Sequence, residues 1–292
     1  MFTALYDALI APFVEFSFMR RALVGSFAIA LGATPVGVFL MLRRMSLMGD
    51  AMAHAILPGA AIGYLFAGLS LGAMTVGGIV AGLVVALAAG FVARATALRE
   101  DASLASFYLI SLAAGVAIVS MRGSNVDVMH VLFGTVLALD NAALALLCTF
   151  TTISLVTFAI IFRPLVLECA DPQFLKSVSK LSAMTHFGFL GLVVLNLVAG
   201  FHALGTLMAV GIMLLPAAAS RFWTDGLGEM LVMSVGIATL SSVAGLLVSY
   251  HVAVPSGPAI ILAAGVIYLF SLVIGPHGGL VRSLLPQPHY RA

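Results

Sequence analysis

Charge is what this sequence has least of. Asp, Glu, Lys and Arg make up 8% of its 292 residues, whereas an ordinary soluble domain carries about 25%. Lysine is almost absent, with Lys176 and Lys180 alone, and no GxxxxGK[ST] run occurs. The chain therefore cannot bind ATP through a loop of that type. Cysteine is confined to Cys148 and Cys169, which are far apart and not in a CxxC, so neither a disulfide framework nor a thiolate metal site is supported. The absence of HExxH excludes an intramembrane zinc protease of that kind. Residues 1–21 lack a basic leader, and Asp7 and Glu15 interrupt their apolar run. They are expected to form an amphipathic segment at the membrane interface rather than a signal peptide.

What is abundant is apolar surface, at 62% hydrophobic residues. There is room for about nine spans of roughly 20 residues, so the expected fold is an all-α polytopic membrane protein. The spans are placed at 22–42, 50–68, 71–93, 103–120, 142–162, 184–204, 205–220, 229–250 and 255–275, within a membrane domain over 22–276 and before a tail at 277–292. The run 128–139 is too short to cross. With the N-terminus outside, the inner loops hold Arg43, Arg44, Arg94, Arg99, Arg163, Lys176, Lys180, Arg221, Arg282 and Arg291, leaving Arg20, Arg21 and Arg122 outside. That asymmetry sets the expected orientation. Pro35, Pro58 and Pro216 fall inside spans and are expected to break or kink them.

One stretch concentrates chemistry, RRMSLMGDAMAHAILPGAA at 43–61. In a helix, Asp50 and His54 share a face at i, i+4, with Cβ atoms roughly 5–6 Å apart. Pro58 has no N–H to offer the carbonyl of His54. One turn would then present a carboxylate, an imidazole and a carbonyl oxygen, which are ligands for a divalent cation. The plain alternative is an Asp that caps a helix end and a His that reaches the headgroups. Ionisable groups within spans are costly, however, and default to a functional reading. Asn196 on the sixth span could be a helix–helix hydrogen bond or a group supporting a site.

The longer run RRMSLMGDAMAHAILPGAAIGYL resembles the signature of the permease subunit of zinc/manganese ABC importers. LGTLMAVGIMLLPAAASR, which carries Pro216, is similar to a second block of that family, and the likeness extends from about Arg20 to Pro276. The resemblance implies a bacterial cytoplasmic-membrane subunit without its own motor. It would be a homodimer embedded in lipid, paired with a separate ATP-binding subunit, and it has no call for nucleic acid. It would carry no permanent cofactor and would take Zn²⁺ or Mn²⁺ from an extracytoplasmic metal-binding protein, with Asp50 and His54 as transient ligands. It also makes the loop at 163–181 the segment that docks on the ATPase. There Asp171 followed by Pro172 reads as a helix cap, and a short helix would bear Lys176 and Lys180. Asp127, His130, His202 and His251 collect on the outer side, where they could receive the ion; they tilt the expectation toward zinc. A stand-alone transporter that exchanges protons for metal at Asp50 is the competing class.

Overall fold

The computed structural model describes residues 6, 8–68, 70–121, 139–171, 174, 175, 177 and 181–284. The described elements are helices: α1 (Ala11–Glu15), α2 (Ser17–Leu42), α3 (Ser46–Ala67), α4 (Leu71–Ala95), α5 (Glu100–Met121), α6 (Asn141–Ala170), α7 (Leu181–Leu204), α8 (Thr206–Ser220), α9 (Leu227–Val252), α10 (Ser256–Ile274) and α11 (Leu280–Leu284). Eight of the described helices are long and apolar enough to cross a membrane, and the ninth expected span is the shorter apolar helix α8. Each expected span coincides with one of α2 to α10, because in lipid a run of about 20 apolar residues must satisfy its own backbone as a helix.

Helix α2 is the centre of the bundle, and α1, α3, α6, α7, α8 and α9 all pack on it. Many of its buried residues are small (Ala22, Ala30, Ala33, Gly32 and Gly37), beside larger ones such as Met19 and Phe39, and its middle is buried almost throughout. That composition suits a helix surrounded by protein, since small side chains allow close backbone approach where lipid gives no hydrophobic drive. Helices α3, α4 and α5 pack mutually on one side, while α8, α9 and α10 pack together on another. Between α3 and α4 the approach is close enough that a Cβ on Gly59 or Gly77 would collide with the other residue's carbonyl oxygen.

Two boundaries differ from expectation. Helix α6 continues through Arg163 and Pro164 to Ala170, so the loop placed at 163–181 begins only at Asp171. The Arg-Pro pair looks like a stop signal, yet Leu165 and Glu168 are buried, and their packing holds the two additional turns in place. The expected proline breaks are also milder than breaks. Helices α2, α3 and α8 run through Pro35, Pro58 and Pro216 without interruption. The expected edge between 204 and 205 is where a break does fall: Gly205, with φ of 83°, separates α7 from α8, a conformation that glycine adopts without steric cost.

The turn from α2 to α3 is also tightly specified. Arg44 N–H donates to the Met41 carbonyl at 3.0 Å and Met45 N–H to the Leu40 carbonyl at 2.8 Å, the paired bonds of a Schellman cap. The left-handed position, usually a glycine, is Arg44 at φ 59°. This turn directs Arg43 into the bundle and starts α3 one turn before Asp50.

Candidate metal site

Asp50 and His54 lie in the second and third turns of α3 and face the same way. Asp50 Oδ1 is 3.8 Å from His54 Nε2, with side-chain exposures of 68% and 38%. That is too long for a hydrogen bond. Two ligand atoms at about 2.0–2.2 Å from one cation can stand up to about 4.2 Å apart, so both fit one coordination sphere as they stand. The cap of α3 is Met45, with no side-chain bond, so Asp50 is not capping the helix. The Tyr108 ring of α5 lies 6.5 Å from the His54 ring. Asp50 lines a cavity of about 340 Å³ between the starts of α3 and α5, with Glu100, Asp101 and Tyr108 on the opposite wall. No group of three or more His, Cys, Asp or Glu placed to hold a metal occurs among the described residues. Among the described residues, the Asp50–His54 pair is what this face offers a cation, with open space beside it.

Of the residues expected at the outer mouth, the side chain of His251 alone is among those described. His251, at the end of α9, is exposed, and its Nε2 lies 2.9 Å from the Ala8 carbonyl, tying the N-terminal segment to α9. Asp127 and His130 fall outside the described residues, as does the side chain of His202. At the docking segment, the Asp171 carboxylate accepts the Phe174 N–H at 2.9 Å, the N-cap geometry that its sequence implies. Phe174, Leu175 and Ser177 are helical, while Pro172, Lys176 and Lys180 lie outside the described residues. Asn196 is a helix–helix bond, donating to Ser154 Oγ at 2.7 Å and to the Leu192 carbonyl at 2.9 Å.

A buried ion cluster escaped the sequence reading. Arg43 at the end of α2 reaches His186 Nδ1 of α7 at 2.8 Å and Glu168 of α6 at 3.8 Å. A guanidinium only donates, so Nδ1 accepts and the imidazole proton sits on Nε2. That nitrogen lies 3.2 Å from Glu100 Oε1 of α5, an ion-pair distance without hydrogen-bond alignment. Arg94 at the end of α4 donates to Ser182 Oγ at 3.1 Å. Arg43 also covers the face of Phe189 at 5.0 Å, which further offsets its desolvation. These residues are scattered over the sequence, and no spacing rule links them. The one available signal is that each sits at a span end on the side to which the basic residues point.

Residues 15–275 match the ABC 3 transport family. The chain belongs to that family. It is a multi-pass permease of the metal ABC importer type, in the bacterial cytoplasmic membrane. It is 30% identical over 262 residues to the manganese import system permease protein ScaB of Streptococcus parasanguinis, covering 90% of this chain and 92% of that protein. It is 29% identical over 269 residues to the manganese transport system membrane protein MntC of Halalkalibacterium halodurans, covering 92% and 91%. Among solved structures it resembles PsaBC from Streptococcus pneumoniae in complex with Fab, with a TM-score of 0.81 and 28% identity over 94% of this chain and 98% of that one. The family's ABC character agrees with the missing phosphate-binding loop.

Proposed function

We propose that the chain is the membrane path of a manganese importer, in which Asp50 and His54 are the transient ligands of the passing ion. The observation that carries this reading is the 3.8 Å carboxylate–imidazole pair on one open face of α3. An ion in transit must bind and then leave, so an incomplete, half-exposed ligand set suits a permease better than a closed structural site. Manganese is favoured over zinc because ScaB and MntC are named for manganese and because a carboxylate with open positions for oxygen ligands suits it. His251, one of the outer histidines that favoured zinc, is bonded to the Ala8 carbonyl.

Two further parts complete the reading. The chain works as a homodimer, since two copies about a twofold axis would bring two Asp/His pairs to a shared path. Hydrolysis belongs to a separate ATP-binding subunit that docks on the segment after Asp171, and an extracytoplasmic metal-binding protein delivers the ion. The test is uptake of radiolabelled Mn²⁺, with Zn²⁺ in parallel, by vesicles that hold the complete transporter. Asp50→Asn and His54→Ala are each expected to abolish Mn²⁺ uptake while membrane yield is unchanged. Near-normal transport by Asp50→Asn would remove the carboxylate from the path. Uptake of Zn²⁺ but not Mn²⁺ by the unaltered protein would reverse the choice of cargo.

A further inference from the structure

Helix α5 touches the ligand-bearing turn of α3 at three places that share one face. Tyr108, Ser111 and Gly115 stand at i, i+3 and i+7, so a single stripe of α5 meets α3. Tyr108 lies beside the His54 ring at 6.5 Å, inclined by 31°. Ser111 Oγ donates to the Ala55 carbonyl at 3.2 Å. A Cβ on Gly115 would come within 2.6 Å of Pro58 Cγ and 2.8 Å of its Cα, so the α5 backbone rests directly on the proline ring.

These contacts fall where α3 is least able to hold itself. Pro58 takes away the N–H that would close the helix onto the His54 carbonyl, and its ring crowds that carbonyl. The turn from His54 to Pro58 therefore lacks one of its own restraints, yet α3 stays helical through it. Ser111 bonds the carbonyl next to the one left open, and Gly115 sets how far the proline turn can swing toward α5. Ligand direction depends on such supporting contacts, and their loss commonly weakens metal binding.

We propose that the Tyr108–Ser111–Gly115 face of α5 positions the His54 turn and thereby sets the affinity of the site for its cation. The proposal rests on the reading of Asp50 and His54 as ligands. Ser111 and Gly115 touch no metal; they are positioning residues that act through the backbone of α3.

The experiment measures binding of Mn²⁺ alone to the assembled transporter in lipid nanodiscs, by the paramagnetic resonance signal of free Mn²⁺, with thermal stability recorded alongside. Ser111→Ala is expected to weaken binding about 3- to 10-fold, the size of one hydrogen bond, in a transporter that still assembles. Ser111→Thr keeps the hydroxyl and is expected to restore it. Gly115→Ala is expected to weaken binding on the order of tenfold or more. Ser106→Ala is the control, because that hydroxyl bonds only the Ala102 carbonyl of its own helix. If Gly115→Ala fails to assemble, the Ser111 pair decides. Wild-type binding by Ser111→Ala, or failure of Ser111→Thr to restore it, overturns the proposal while loss of binding in Asp50→Asn leaves the ligand reading intact. Retained binding in Asp50→Asn overturns the ligand reading itself.

Discussion

At the scale of single residues, the energetic demands of the two polar sites point in opposite directions. Asp50 and His54 are open to exchange, whereas Arg43 and Glu168 have side-chain exposures of 10% and 6%. Removing one partner of a buried ion pair strands the other, at a cost of about 3–5 kcal/mol. Arg43→Ala is therefore expected to lower the melting temperature of the purified permease sharply. Arg43→Met with Glu168→Met, which removes both charges together, is expected to recover most of the loss. A double variant no better than Arg43→Ala would show that the guanidinium acts through His186 and Phe189 and not through Glu168. The approach of Asp50 to His54 was legible in the sequence because the two residues are four positions apart on one helix, where periodicity alone sets their relation. The Arg43–His186–Glu100 cluster was not, because its members come from three helices that only packing brings together.

At the scale of elements, the order and number of apolar spans were readable, with edges off by up to eight residues, because the cost of unpaired backbone in lipid leaves little choice but helix. The exceptions are cases in which packing outweighs a local signal. Pro164 did not stop α6, since Leu165 and Glu168 beyond it are buried, and Pro58 did not break α3, whose following glycine instead lets α4 approach. This last contact gives a prediction. Gly59→Val or Gly77→Val would set side-chain atoms against the opposing carbonyl and is expected to separate α3 from α4, with loss of folded permease on size-exclusion chromatography. The same substitution at Gly72, where a Cβ would meet nothing within 4 Å, is expected to be tolerated. Equal yields from the two positions would refute the close α3–α4 packing.

At the scale of the whole molecule, orientation and assembly remain linked to the surface. Arg43, Arg94, Glu100, Glu168 and His186 gather at one end of the bundle, while Ala8 meets His251 at the other. Tags at the N-terminus and after Arg291 are expected to be accessible from opposite sides of the membrane, the latter from the cytoplasm; finding both on one side would mean a span count wrong by an odd number. Leu47 is 83% exposed and stands one turn before Asp50 on the same side of α3. In a background with Cys148 and Cys169 replaced by serine, Leu47→Cys is expected to cross-link two copies with a short bismaleimide if the homodimer closes over this face. Monomer alone on a denaturing gel would place the dimer contact elsewhere. By itself the sequence determined the helical class, the position of each span and the facing of Asp50 toward His54, because each follows from hydropathy over one segment or from the 3.6-residue repeat. Only the tertiary structure decided that α2 is the central helix, that α5 packs on the proline turn, and that charged and polar groups from five separate helices meet under cover. Those outcomes depend on which surfaces fit at close range, a property of helix pairs that no single segment carries.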